Sequence, residues 1–384
     1  MNIYWYAPFN NAHEQALAAA LHQPGERLVV QSLASRFGKR PLSDSFEFEM
    51  VRDLPDTAGD DGGRRSRGRR ARIAVARAGA RHRLVASRPF DIVHLHTYNP
   101  FTDPLALRML KRRCGALVIS VHNVRPHEQR VPSARLERQL LSAGYRVADQ
   151  ILVAHSLLAD QLIRDFGVHA SRVSVLPLVV PVPVRPLKPA PVDGPFLFFG
   201  TLRQNKGIDI LLAAMRLIED PSVRLHVAGR GLDQLEAAVR AAAAVDKRII
   251  AEIGYVTPDR QDALLRGARA LVLPYTNFDA QSGVLQDAYA YQRAVIASDV
   301  GALGAEVSRS GGLVIPRNDP SALAHAMTTL ASNPSQLDHF QSSSASVAAQ
   351  RSPTAIAGQL RALYEQFERR PTHRQPSTSV RLAT

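Results

Sequence analysis

Two cations, two carboxylates and one polar cluster carry most of the chemistry this sequence can do. Arg203 and Lys206 lie in Arg203-Gln-Asn-Lys-Gly207, between the apolar run Phe196 to Phe199 and a helical spacing of Ile208, Leu211, Leu212, Met215 and Ile218. That pattern predicts a strand, a turn at Gly200, and a helix whose N-terminus falls at Lys206-Gly207. Free backbone N–H groups and the positive end of a helix dipole then stand beside the two side chains, a setting that favours a phosphate or diphosphate. Any strand-loop-helix unit can also carry two solvated cations, so this stretch alone leaves the two readings level. Further along, Asp279 and Asp287 bracket Ser282-Gly283, which opens a helix at Val284. Singly, Asp279 reads as a turn residue and Asp287 as a solvated helix residue. Together with Arg203 and Lys206 they suit a sugar, a diphosphate and the hydroxyls of a ribose.

The N-terminal half has its own polar cluster, His122-Asn-Val-Arg-Pro-His-Glu128, directly after the apolar strand Ala116 to Val121. Polar side chains concentrated at the carboxyl end of a buried strand are what an active-site edge supplies. Asp91 to His96 reads as a strand ending in two histidines two residues apart, His94 and His96, which therefore share one face. A pair is too few for a metal site, so one buried and one loop-facing histidine is expected. Residues 2–6 form a first strand, and the segment after it, with Asn10 and Asn11, falls at the same ligand-binding edge.

The elements that must position these groups alternate strand and helix throughout, which implies parallel sheets. At 384 residues the chain suits two α/β domains. The boundaries are an N-terminal domain at 1–180, a proline-rich connector at 181–195, and a second domain at 196–352. A helix at 353–369 returns to the first domain, and a tail at 370–384 rich in Arg, Pro, Ser and Thr is expected to be disordered. The single cysteine, Cys114, excludes an internal disulfide and any multi-cysteine metal site, and reads as a core residue. No window approaches 18 uncharged apolar residues, and the N-terminus lacks the pattern of a signal peptide, so a cytoplasmic protein is expected.

The net charge of +14 is concentrated in residues 1–190, which hold 28 Lys+Arg against 16 Asp+Glu. Within them, residues 62–90 contain ten arginines and no acidic residue. Such a stretch is drawn to an anionic leaflet by about 1 kcal/mol per cation near the surface. It lacks the aromatic residues that stack on single-stranded bases, which disfavours nucleic acid. A solvated arginine-rich loop is the bland alternative.

Taken together, these motifs resemble the GT-B glycosyltransferases, especially glycosyltransferase family 4. Arg203-Gln-Asn-Lys-Gly207 resembles that family's Arg…Lys-Gly diphosphate loop. Asp279 to Asp287, followed by Arg293-Ala-Val-Ile-Ala-Ser-Asp-Val-Gly301, is similar to its Glu-x7-Glu motif and the next strand. Gly229-Arg-Gly231 matches its Gly-x-Gly, and His122 falls where the family often has an active-site histidine. Two departures stand out: both motif glutamates are aspartates here, and Phe9-Asn-Asn11 replaces the usual glycine pair after the first strand. The His-Asn-x-x-Pro-His-Glu cluster is also similar to glycolipid β-mannosyltransferases of xanthan-type exopolysaccharide assembly, which invert, whereas family 4 retains.

The resemblance implies two Rossmann-like parallel-sheet domains facing across a cleft, with a nucleotide-diphosphate sugar in the second and an acceptor in the first. It implies a glycosyltransferase that uses neither metal nor cofactor beyond its co-substrate. Donor contacts fall to Arg203, Lys206, Gly229, Tyr255, Ser282, Gly283, Val284 and Asp287, and catalytic roles to His122 and Asp279. Asn10, Asn11, His96 and Arg125 line the acceptor side. Retention is the first expectation; inversion would use Glu128 as base, with Asp103 second. The resemblance suggests mannose from GDP-mannose and a lipid-linked or polysaccharide acceptor at the inner membrane face, with no nucleic acid partner. A sugar-nucleotide epimerase and a non-catalytic nucleotide-sugar-binding subunit remain alternatives.

Overall fold

The computed structural model describes residues 1–8, 12–33, 49–54, 67–96, 103–124, 133–278 and 282–368. The first sheet is built from β1 (Asn2–Tyr6), β2 (Arg27–Leu33), β3 (Glu49–Leu54), β4 (Phe90–Leu95), β5 (Cys114–Val121), β6 (Gln150–Val153) and β7 (Val173–Val175). Between them run α1 (Ala12–Leu21), α2 (Arg67–Ser87), α3 (Asp103–Lys111), α4 (Ala134–Val147) and α5 (Ser156–Phe166). The strand order is β3-β2-β1-β4-β5-β6-β7, and every pair is parallel. The order reverses between β1 and β4, where a doubly wound sheet opens a crevice at its carboxyl edge.

The second sheet comprises β8 (Phe196–Phe199), β9 (Leu225–Gly229), β10 (Ile249–Ile253), β11 (Ala270–Leu273), β12 (Ala294–Ser298) and β13 (Leu313–Ile315). Its helices are α6 (Ile208–Leu217), α7 (Asp233–Val245), α8 (Pro258–Gly267), α9 (Gly283–Ala290), α10 (Gly301–Arg309), α11 (Pro320–Ser332), α12 (Pro334–Gln350) and α13 (Pro353–Glu368). The order β10-β9-β8-β11-β12-β13 puts a second reversal between β8 and β11, again among parallel strands.

Period-two alternation builds two cores around the first sheet. Tyr4 and Tyr6 pack on one face with Val85, Leu107, Leu110 and Leu141, while Ile3 and Trp5 pack on the other with Leu17 and Leu21. The second face is closed by α13, whose Ile356, Leu360 and Tyr364 are buried against it. Arg361 of α13 makes hydrogen bonds of 2.9 and 2.7 Å to the two carboxylate oxygens of Glu26. The chain changes cores between Val179, buried in the first domain, and Val180, buried in the second. The two domains also touch where Arg309, at the end of α10, brings Nη2 within 2.6 Å of His155 Nε2 at the start of α5.

α2 begins at Arg67, so most of the arginine-rich stretch at 62–90 is helix rather than solvated loop, because arginine is a strong helix former and Ala80 and Val85 give the helix a buried stripe. In α10 the glycine at 304 is needed, since a Cβ there would fall 2.5 Å from Asp299 Oδ1. In α12 the serine-rich segment 342–346 hides a helix that buries Leu337, Phe340 and Ser344.

Candidate active site

The reversal point of the second sheet holds Arg203 and Lys206. Gly200, at φ +124°, turns the chain out of β8, and residues Gln204–Lys206 form one 3-10 turn before Gly207, at φ +66°, admits α6. A side chain at 207 would meet Pro274 O at 1.8 Å, so the loop lies directly on the segment after β11. Thr276 N–H donates to Asn205 O at 3.0 Å, and Asn205 Nδ2 donates to Asn277 O at 3.1 Å. These contacts seat Lys206 Nζ 3.5 Å from the ring centre of Tyr275 and 4.3 Å from that of Phe278. Aromatic faces attract a cation without supplying the negative charge of a carboxylate. Burial, then the neighbouring Arg203 charge, pushes the Lys206 ammonium down to about 7. No carboxylate pairs with it among the described residues.

α9 points its N-terminus into the same crevice. Ser282 is its N-cap residue and is buried, yet its hydroxyl makes no capping bond and lies 3.3 Å from Tyr275 Oη. The first-turn N–H groups are therefore left without a side-chain cap, as an anion site requires. Gly283 is open, with nothing within 4 Å of a built Cβ, and Val284 packs beside Gly200. One turn on, Asp287 is half-buried and accepts from Gln261 Nε2 at 3.1 Å. Burial raises its carboxyl to about 7, against the lowering by that hydrogen bond.

Two glycines allow the neighbouring loop to approach. A Cβ at Gly229, φ +145°, would stand 1.8 Å from Gly200 O, and one at Gly231 would stand 1.9 Å from Leu202 O. The loops after β8 and β9 thus run side by side, joined by Leu202 N–H to Arg230 O at 2.9 Å and Leu232 N–H to Leu202 O at 3.0 Å. Tyr255 follows Gly254 at the end of β10, is 64% exposed, and has the Arg230 guanidinium 6.0 Å from its ring centre.

In the first domain the carboxyl edge carries three histidines. The sequence reading of one buried and one loop-facing histidine is corrected: both His94 and His96 are buried, because the face they share is the one α13 covers. Trp5 Nε1 donates to Tyr364 Oη at 3.0 Å, and Tyr364 Oη lies 2.6 Å from His94 Nδ1. One tautomer satisfies the whole chain of bonds: Tyr364 O–H donates to His94 Nδ1, and His94 Nε2–H donates to Ser120 Oγ at 2.8 Å. Burial holds His94 well below the usual histidine value. The His96 ring lies tilted on His94 at 4.3 Å and edge-on to Trp5 at 4.4 Å between ring centres, and burial, then repulsion from the neighbouring His122 imidazole, lowers it to about 3. Its Nε2 is buried with no hydrogen-bond partner among the described residues. His122 is open to solvent on one side; the chain crowding the rest of its ring lowers its pKa, and a hydrogen bond with the His96 main chain partly offsets this.

The sequence profile described as "Glycosyl transferases group 1" matches residues 194–333, and that described as "Glycosyltransferase Family 4" matches residues 15–182. The chain belongs to the family 4 glycosyltransferases. The chain is 32% identical over 148 residues to D-rhamnosyltransferase WbpZ of Pseudomonas aeruginosa, covering 38% of each chain. It is 27% identical over 237 residues to a GDP-mannose:glycolipid 4-beta-D-mannosyltransferase of Xanthomonas campestris pv. campestris, covering 54% of this chain and 61% of that protein. The matches thus span less than two thirds of these curated relatives. Its fold superposes on sucrose-phosphate synthase from Thermosynechococcus elongatus with a TM-score of 0.75 at 19% identity, over 96% of this chain and 99% of that one. Anabaena Alr3699/HepE in complex with UDP-glucose gives a TM-score of 0.71 at 14% identity, over 95% and 100%. The architecture is GT-B, with two parallel α/β sheets.

Arg203, Lys206, Ser282, Gly283 and Val284 gather at one reversal point, with Gly229 and Asp287 adjoining and Tyr255 at the end of β10. His96 and His122 end adjacent strands of the first sheet. Asn10, Asn11, Arg125, Glu128 and Asp279 lie outside the described residues, as do the first arginines of the 62–90 stretch and the C-terminal tail; Asp103 opens α3. Among the described residues no three His, Cys, Asp or Glu side chains group as a metal site, and no helix is long and apolar enough to cross a membrane. Sequence reasoning missed the roles of Tyr275, Phe278, Gln261 and Tyr364. The aromatics follow a buried strand immediately after Pro274, but their pairing with Lys206 depends on β8 lying beside β11.

Proposed function

We propose that the chain transfers a hexose from a nucleotide-diphosphate sugar to a lipid-linked or polysaccharide acceptor, with mannose from GDP-mannose as the first donor to try. The single observation that carries this reading is Lys206: a desolvated cation held over two aromatic rings, unpaired by any described carboxylate, beside an uncapped helix N-terminus. A diphosphate supplies the missing negative charge. Departure of that diphosphate builds charge where Arg203, Lys206 and the α9 N–H groups stabilise it. Asp287 accepts from the ribose hydroxyls, Gly229 lets the backbone come close, and the exposed Tyr255 ring faces the base. Asp279 adjoins the sugar, and a neutral His122 orients sugar or acceptor.

The retaining route has the leaving phosphate take the acceptor proton on the departing face. Two relatives named as 4-beta-D-mannosyltransferases favour a second reading, inversion with Glu128 or Asp103 as general base. The expected work site is the cytoplasmic membrane face. Purified protein given a donor panel and a lipid-linked saccharide extract is expected to release nucleoside diphosphate only when donor and acceptor are both present. Acceptor-independent rearrangement of the sugar would instead identify an epimerase, and binding without turnover a non-catalytic subunit.

The two shifted groups predict a bell-shaped pH dependence of donor affinity. Lys206 must be protonated to hold the diphosphate, so affinity falls as pH rises above about 7. Asp287 must be ionised to accept from ribose, so affinity also falls as pH drops below about 7. Calorimetric titrations across this range are expected to peak near neutrality. Asp287→Asn removes the acid limb and Lys206→Arg the alkaline one; an affinity flat across the range contradicts both roles.

A further inference from the structure

Gln261, at the end of the first turn of α8, donates from Nε2 to Asp287 Oδ2 at 3.1 Å. That is the one hydrogen bond its carboxylate makes among the described residues, whereas an ionised carboxylate has room for about four. A carboxylate only accepts, so the amide nitrogen takes this bond and Gln261 Oε1 is the end left over. Asp287 Oδ1 and Gln261 Oε1 have no hydrogen-bond partner among the described residues, and neither atom is buried. Burial raises the Asp287 carboxyl to about 7 in spite of the amide, so its charge still lacks donors. Two bonded side chains thus offer two unused acceptor oxygens, and an acceptor pair of this kind matches the two O–H donors of a vicinal diol.

The pair stands where a ribose would. Asp287 lies four residues after Gly283, about 6 Å along α9 from the N-terminus assigned to the diphosphate. α8 follows the loop of Tyr255 directly, and Gln261 N–H donates to Thr257 O at 2.8 Å. Base, ribose and phosphate then fall in order on Tyr255, the Gln261–Asp287 pair and α9. The Gln261 bond is not what holds α8 on α9. Tyr291, one turn after Asp287, donates to Asp262 Oδ1 at 2.7 Å, and Arg266 donates to the two Asp262 oxygens at 3.0 and 2.9 Å. Arg266 also donates to the main-chain oxygens of Arg185 and Pro186 in the connector, both at 2.8 Å. Asp287 is shorter than the motif glutamate by one methylene, and with Oδ2 committed to Gln261 it has one oxygen free for ribose.

We propose that the ribose diol of the nucleotide is recognised by a divided acceptor pair, one hydroxyl donating to Asp287 Oδ1 and the other to Gln261 Oε1. The proposal rests on the reading of the second domain as the nucleotide-sugar site, and it adds Gln261 as a residue that selects ribose over deoxyribose. Full-length wild type, Gln261→Leu and Tyr291→Phe are titrated calorimetrically near pH 7 with GDP, 2′-deoxy-GDP and 3′-deoxy-GDP, or with the UDP set if UDP binds more tightly. Wild type is expected to bind one analogue about thirtyfold more weakly, because that hydroxyl donates to a carboxylate, and the other about fivefold more weakly, because it donates to a neutral amide. In Gln261→Leu the smaller ratio should fall to about one while the larger stays well above one. Tyr291→Phe, which breaks the other bond between α8 and α9, should keep both ratios. Should leucine disturb the packing, Gln261→Ala reads the same ratio. Both ratios unchanged in Gln261→Leu, both collapsed, or a wild type indifferent to either hydroxyl overturns the proposal. Wild type that binds neither GDP nor UDP ends the nucleotide-sugar reading and this one together, whereas binding with ratios untouched by Gln261→Leu ends this one alone.

Discussion

Arg203→Ala/Lys206→Ala is expected to weaken nucleoside-diphosphate binding about a thousandfold while leaving the fold intact. Hydrogen bonds to charged groups contribute about 1.5–3 kcal/mol each, and losing two such cations removes about 4 kcal/mol. The structure argues that the loss falls on binding rather than stability. Arg203 is exposed, and Lys206 sits desolvated over Tyr275 and Phe278 at a cost that alanine relieves. The melting temperature should therefore hold or rise slightly. Gly207 and the bonds from Thr276 and Asn205 keep the loop seated on the β11 segment without the lysine. An affinity unchanged in the double variant would place the diphosphate elsewhere.

His122→Ala is expected to lower turnover about a hundredfold or more with donor affinity unchanged. The imidazole ends β5 in the first domain, whereas the donor groups named above belong to the second. Its lowered pKa keeps it neutral at pH 7, able to donate from one nitrogen and accept at the other. His122→Gln, which keeps a donor and an acceptor, should recover part of the rate. A loss confined to donor affinity, or no loss at all, would remove His122 from the reaction.

The alternation of apolar strands with amphipathic helices was legible because parallel strands buried on both faces read as short continuous apolar runs, as in Phe196 to Phe199 and Ala270 to Leu273. Lys206 was legible as a cation near a helix start, but its aromatic seat was not. Tyr275 is far away in sequence and is brought beside it only by the β8–β11 reversal. His94 and His96 were correctly placed on one face, since that follows from the strand period. Their burial was not readable, because the cover comes from Tyr364 and α13 at the opposite end of the chain. The glycines at 229 and 231 were visible as a motif, whereas the contacts that demand them, Gly200 O and Leu202 O, exist only once β8 and β9 pair.

The measurement that bears most directly on the account is calorimetric binding of the wild-type protein to a panel of nucleoside diphosphates and nucleotide sugars near pH 7. The account predicts saturable binding of one nucleotide class, with the sugar nucleotide bound without added metal. An absence of binding across the panel would contradict the diphosphate cradle at Arg203 and Lys206, and with it the transfer reaction built on it.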